Sequence, residues 1–452
     1  MKQFLSFLVG VLLLNSATTA QTNPAITQWL INDQGLMGSH YLQGNATPVA
    51  DNVAANVQQV QYSNNWVYVH TNGIPSYVTG PFLDGNPSLA TDQNAIFKFP
   101  LNPTQNTGTS TPTNGGNIGV FINGVALFDY RDGVSWNNNT QAEGGGPIQG
   151  PPGQGVWNRD AIVAERAGFD CAKGHPAMGN YHHHQNPSAF DVDLVTISSV
   201  CNLYDADGLY VINPNGHSPL IGFAYDGFPI YGAYGYLNTD GTGGVVRMKS
   251  SYQLRDITMR THYADGTDVT DGPAVSGTYP LGHYREDYEF VSQVNAPDYL
   301  DAHNGRFCVT PEYPNGTYAY FCTVDENWNS AYPYAVGPTF YGVKNAAKVT
   351  SVTEAVTTYN PAVGIAQSKE VNLWNVRYDG SLDIVVLQYK GLLKENKDVR
   401  CWDSKGALLK YTQIGAGSTI LFVEASTMLN GQYYLEVGGG VDRVVLKVQI
   451  NR

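Results

Sequence analysis

The run Gly174-His175-Pro176-Ala177-Met178-Gly179-Asn180-Tyr181-His182-His183-His184 gathers four of the chain's ten histidines within ten residues. Neutral imidazole is the commonest protein ligand for borderline transition metals. Side chains alternate along an extended chain, so a strand here puts His182 and His184 on one face and His183 on the other. A turn over Pro176–Gly179 would return His175 to that pair. Three imidazole nitrogens could then converge on one ion. The competing reading is a surface loop whose histidines share no purpose.

Other residues could complete such a site. Asp226-Gly227-Phe228-Pro229 spells a tight turn, in which glycine permits a positive φ and proline fixes the next one. Its carboxylate either bonds its own backbone or reaches the histidines as a ligand or orienting acceptor. Phe223, Tyr225, Phe228, Tyr231, Tyr234 and Tyr236 would wall that pocket. His303, in the loop Asp298–His303, is a candidate distant ligand, because local pairs are completed from elsewhere in a fold. Glu312 is a second candidate carboxylate. His217, His262 and His283 read as hydrogen-bonded loop residues. Asp205-Ala206-Asp207-Gly208 opens like a calcium loop, but Gly216 stands where the bidentate Glu belongs, so a plain turn is expected.

Short strands must position these groups. Val57–Tyr62, Trp66–Thr71, Ala95–Phe99, Gly119–Asp129 and Asp191–Ser199 alternate between Asn, Gly and Pro clusters, and Gly222–Tyr236 reads as strand–turn–strand. Trp157–Arg166 is one of the few helical stretches. Neither a phosphate-cradling glycine loop nor a nucleophile elbow is present. With 49 Gly, 24 Pro, 30 Tyr and only 14% charged residues, the composition suits a mainly β, loop-rich extracellular protein. Met1–Gln21, with one Lys, an apolar stretch over Phe4–Leu14 and small residues up to Ala20, predicts a signal peptide over residues 1–20. That stretch is too short to span a bilayer, and no later segment predicts a transmembrane span. Secretion or display at the cell surface follows as the expectation.

A net charge of −13 argues against nucleic acid or an anionic membrane as partner. Residues 1–345 carry 13 Lys+Arg against 28 Asp+Glu, whereas residues 346–452 carry 12 against 10. The shift predicts a large β-rich domain over 21–345, a linker over 346–358 and a small antiparallel β-sandwich over 359–452. In the tail, Ser381–Tyr389, Val399–Asp403, Thr419–Val423, Gln432–Val437 and Arg443–Ile450 alternate as strands of that sandwich.

Export implies an oxidising compartment, so Cys171, Cys201, Cys308 and Cys322 predict two disulfides. Sequential pairing, Cys171–Cys201 and Cys308–Cys322, is the simplest of three connectivities. Cys401 stands alone and reads as a buried free thiol.

Several blocks carry a resemblance. Tyr181-His182-His183-His184 with Asn186-Pro187, the segment Pro219–Gly232, Asn304–Phe307, Thr310–Pro314, Gly316–Phe321 and Tyr332–Tyr334 are similar to the YHYH-domain family over Cys171–Gly342. The departure is His183, where the eponymous motif has its second Tyr. That family is secreted and bacterial, and the resemblance implies no particular reaction. The tail resembles a type IX secretion C-terminal sorting domain of exported Bacteroidota proteins, through Tyr359–Ala362, Cys401–Gly406, Leu429–Val437 and Lys447–Ile450. The resemblance implies the type IX secretion machinery as a partner. The usual opening lacks its first Pro here, and a carbohydrate-binding or Ig-like module is the alternative.

Three functional classes follow. The first is extracellular binding of a transition metal, with copper preferred to zinc because histidine ligation heads the affinity series at Cu(II). The second is a metal-assisted hydrolase with one open coordination position. The third is a glycan-binding or adhesive surface protein, whose partner would be an extracellular polysaccharide or small molecule.

Overall fold

Alternating apolar side chains at Val57–Tyr62, Trp66–Thr71 and Ala95–Pro100 form neighbouring antiparallel strands, as their spacing predicts. The computed structural model describes residues 23–33, 35–45, 47–82, 89–146, 150–189, 216–360, 373–380, 382–403, 408–438 and 444–452. The expected leader, the strand at Asp191–Ser199, Cys201 and the Asp205 turn lie outside the described residues. The chain divides into two units, Met1–Tyr359 and Asn360–Arg452. No helix among the described residues is long and apolar enough to cross a membrane.

The first unit is built on an eight-stranded mixed sheet. Its strands are β1 (Asn117–Phe121), β2 (Ala126–Phe128), β3 (His175–Ala177), β4 (Asn180–His183), β5 (Leu220–Ala224), β6 (Pro229–Tyr231), β7 (Gly305–Cys308) and β8 (Thr317–Phe321). They lie in the order β3-β4-β2-β1-β5-β6-β8-β7. The β4–β2 and β6–β8 pairs are parallel, so distant segments meet there. A five-stranded sheet carries Val57, Val69, Phe97 and Phe99, which share one buried cluster with Val120, Ile221, Phe223, Ile230 and Phe321 of the eight-stranded sheet. Each such side chain contributes about 1.5–3 kcal/mol on burial.

Residues 346–358, expected as a linker, instead close both edges of the five-stranded sheet. Val349 pairs with Ile96, Thr357 pairs with Tyr62, and the Tyr359 amide donates to the Val60 carbonyl at 2.8 Å. Their β-branched Val and Thr residues suit edge strands, and composition alone does not separate such a strand from a polar connection.

The expected Cys308–Cys322 disulfide is absent. Both thiols are free and buried. Cys308 faces Thr317 across the β7–β8 hairpin, and Cys322 follows the opposite end of β8. At ~3.4 Å per residue that offset is roughly 17 Å, far beyond the ~7 Å Cα limit for a disulfide. Cys401 is free and buried, as expected.

The second unit has two antiparallel sheets. One orders Trp374–Asp379, Ile384–Tyr389 and Ile420–Glu424; the other orders Leu408–Ile414, Lys397–Asp403, Gly431–Val437 and Val444–Ile450. Along Val444–Ile450 burial alternates at every residue, and Val385, Leu387, Val399, Leu435, Val444 and Ile450 share one core. The chain is mainly β throughout its described residues.

Candidate metal centre

The three predicted histidines meet. β3 and β4 form a hairpin in which His175 stands opposite His182. Met178 and Gly179 turn it with φ of 49° and 83°, the two-residue turn whose twist matches antiparallel strands. A Cβ on Gly179 would lie 2.1 Å from Thr91 Oγ1, so glycine is required for space as well as for conformation. Ligand atoms of His175, His182 and His184 all lie within 4.8 Å of one another, and the three residues are at most 7% exposed.

Backbone carbonyls fix the ring orientations. Nδ1 of His182 donates to Asn180 O at 2.9 Å, and Nδ1 of His184 donates to Asp129 O at 2.7 Å. A carbonyl only accepts, so the Nδ1 atoms carry the protons and the Nε2 atoms are the ligating ones. Those Nε2 atoms are 3.1 Å apart. Phe128 stacks on His182 with ring centroids 3.8 Å apart, and Phe169 sets its edge against His175 at 4.8 Å. His183 takes the other face, as alternation requires. Its Nδ1 donates to Lys173 O at 2.9 Å, its Nε2 accepts from Tyr77 OH at 3.0 Å, and burial pushes its pKa down to about 3. It is a satisfied core residue.

A carboxylate that the sequence reading did not single out completes the group. Strand Asn158–Asp160 leads into a short helix, Ala161–Glu165, inside the stretch expected to be helical. Asp160 caps it, accepting from the Ile162 amide at 2.8 Å and from Tyr334 OH at 2.7 Å. The helix ends on Glu165, whose Oε2 lies 3.2 Å from Nε2 of both His175 and His184. At that distance the contacts are ion pairs off hydrogen-bond alignment: among the described residues, Glu165 Oε2 and both ring nitrogens of His175 are buried without a hydrogen-bond partner. Buried polar atoms left unpaired are rare in folded chains and call for an unseen partner.

The charges agree. Burial raises the Glu165 carboxyl pKa, but contact with His175 and His184 outweighs this and holds it well below the usual carboxylate range. Burial lowers His184, yet Glu165 outweighs that too and raises it. His182 is pushed well down by burial, then by the neighbouring rings of His184 and His175. The set thus offers one neutral imidazole and two imidazoles, those of His175 and His184, whose Nε2 atoms both face the Glu165 carboxylate.

Asp226 and His303 do not join this group. Asp226 is buried in its own turn, accepting from the Phe228 amide at 3.2 Å, Tyr320 OH at 2.6 Å and the Gly342 amide at 2.8 Å. Phe223 and Tyr225 pack on Phe99 in the core and wall no pocket around the histidines. His303 bonds Thr339 Oγ1 through Nδ1 at 2.7 Å. Glu312 accepts from Tyr231 OH at 2.8 Å. His217, His262 and His283 bond Ser218 O, Thr261 Oγ1 and Glu143 respectively, as loop residues do.

The family model described as "YHYH protein" matches residues 96–333, more than half of the chain. No curated protein matches it. Among solved structures, a DUF3244 family protein with an immunoglobulin-like β-sandwich fold from Bacteroides vulgatus is similar at 17% identity, covering 18% of this chain and 84% of its own, with a TM-score of 0.16.

Proposed function

From the premise that the chain belongs to the YHYH protein family, we propose that it is an exported protein that holds one transition-metal ion through His175, His182 and His184, with Glu165 as fourth ligand. The observation that carries this reading is the convergence of His175 and His184 Nε2 on a buried carboxylate oxygen that has no hydrogen-bond partner, with His182 Nε2 3.1 Å from that of His184. Ligand nitrogens on a tetrahedral ion at ~2.0–2.1 Å stand roughly 3.3 Å apart, close to the 3.1 Å between His182 and His184. Three nitrogens and one oxygen suit Cu(II) or zinc, and copper stands higher in the affinity series. Deep burial of all three rings favours an ion that is held over one serving an open hydrolytic position.

Export rests on the leader-like residues 1–20 and on the tail. We assign the tail as a type IX sorting domain because it folds as a separate antiparallel unit that ends in an alternating strand. The disulfide belonging to this reading is Cys171–Cys201, the pairing an exported chain makes in an oxidising compartment. The test of the metal reading is elemental analysis of protein purified from metal-supplemented medium, with an EPR spectrum to distinguish Cu(II) from zinc. About one ion per chain is expected, and protein that stays metal-free after loading and desalting overturns the assignment.

A further inference from the structure

A cleft in the same unit includes none of the three histidines in its lining. It measures about 690 Å³ and is lined by Tyr252, Tyr263, Phe290 and Tyr332, with Arg285 and Arg131 among them. Arg285 is the unusual member. Its side chain is only 14% exposed, and its guanidinium lies over the Tyr130 ring at 5.4 Å. Among the described residues it makes an ion-pair contact, Nε to Glu286 Oε1 at 3.4 Å, and no hydrogen bond. Glu286 is already engaged, with Oε2 accepting from the Asn158 amide at 2.7 Å and Oε1 from Asn158 Nδ2 at 2.8 Å.

The neighbouring buried arginine shows what saturation looks like. Arg260 donates to both Asp287 oxygens and to the carbonyls of Pro273, Tyr279 and Pro280. Arg131 is likewise bound to Asp129 and to the Thr113 carbonyl. Of these three, Arg285 is the one whose guanidinium makes no hydrogen bond among the described residues, and a planar guanidinium fork matches a carboxylate in bidentate fashion. The remaining lining narrows the ligand. Asp265 and Glu289 also line the cleft, so a second anionic group inside the cleft is repelled while hydroxyl groups find acceptors. The aromatic side chains that line the cleft suit the apolar face of a sugar ring. One carboxylate, several hydroxyls and a flat apolar face together describe a hexuronate.

We propose that this cleft binds a uronate residue of an acidic polysaccharide, its carboxylate on Arg285, its ring against the tyrosines and its hydroxyls toward Asp265 and Glu289. The experiment is calorimetric titration of the full chain, in chelator, with a galacturonate oligomer, a galactose oligomer of equal length, and benzoate. The galacturonate oligomer should bind at least tenfold more tightly than either of the others. Arg285→Gln should remove that preference, and Arg285→Lys should weaken it, since a point charge replaces the fork. Phe290→Ala, at a 40%-exposed side chain, should weaken galacturonate several-fold in a protein with unaltered melting, which keeps the test valid if the arginine variants fail to fold. Equal binding of acidic and neutral oligomers, or no binding at millimolar concentration, overturns the proposal. Benzoate binding as tightly as galacturonate overturns the sugar assignment.

Discussion

His182 Nε2 and His184 Nε2 lie 3.1 Å apart while each ring's Nδ1 is bound to a backbone carbonyl. Two bare lone pairs repel at that distance, so the arrangement is stable only with positive charge between or beside them. In the metal-free chain Glu165 raises the affinity of His184 for a proton. A bound cation takes its place and satisfies Glu165 as well. Replacing both His182 and His184 by Ala is therefore expected to abolish stoichiometric binding of copper or zinc. Glu165→Gln, which keeps the shape and removes the charge, should weaken binding on the order of 10- to 100-fold. Competition against a chelator of known affinity reads both; an unchanged ion content in the double variant refutes the site.

The sequence made part of this centre legible. The i, i+2 spacing of His182 and His184 and the turn before them are local, and local geometry follows from alternation and turn chemistry. Glu165 was hidden because its place depends on the Asp160 cap and on contacts that reach back from Tyr334. Asp226 misled for the same reason: its donors, Tyr320 OH and the Gly342 amide, come from far along the chain. The same limit explains the sheets. Antiparallel neighbours such as Val57–Tyr62 and Trp66–Thr71 are written in alternation, whereas the parallel β4–β2 pair and the two edge strands at 347–349 and 357–358 are fixed by tertiary packing.

The cysteines give a second prediction. Cys308, Cys322 and Cys401 are buried thiols, and burial pushes Cys322 up to about 12 and Cys401 to about 11. The thiolate is the reactive form. Native protein should show almost no reaction with a thiol reagent, and denatured unreduced protein should show three reactive thiols. One thiol would restore the Cys308–Cys322 bridge, and five would remove the proposed Cys171–Cys201 bridge. Cys322→Ser should cost about 1–3 kcal/mol, because a buried hydroxyl needs a partner that a thiol does not.

Acid–base behaviour gives a third. Burial pushes Asp170 and Asp226 up to about 6 and Glu286 up to about 7, despite the donors that each accepts. A carboxyl with a raised folded-state pKa binds its proton more tightly in the fold than in the unfolded chain. Between roughly pH 4 and 7 the native state therefore holds more protons, and stability falls as pH rises across that window. His184, raised by Glu165, acts in the same direction above its ordinary pKa. Glu165, held low, acts oppositely and withdraws its contribution below about pH 4.5. His182 and His183, pushed down by burial, oppose this slope below about pH 6.5, so the metal-free melting temperature should decline from about pH 6.5 toward pH 8. Glu286→Gln should flatten the decline. A melting temperature that climbs from pH 6.5 to 8 contradicts the assignment.

The last prediction concerns where the tail begins. Composition puts the boundary before residue 346, but Ala347–Val349 and Thr357–Thr358 are edge strands of the first unit, and the Tyr359 amide bonds Val60 O. Truncation after Lys344 removes both strands and exposes the ladders of Ala95–Pro100 and Val57–Tyr62. Truncation after Tyr359 leaves them paired. The shorter product should melt several degrees lower and aggregate through its open edges, while the longer one should melt with the full-length first unit and retain its metal, since every ligand precedes residue 185. If the second unit is a sorting domain, the longer product should remain in the cell envelope although it is folded. If it is a sugar-binding module, that product should reach the medium and lose affinity for a polysaccharide. Fractionation of cells expressing the Tyr359 truncation separates the two outcomes, and its normal appearance in the medium overturns the sorting assignment.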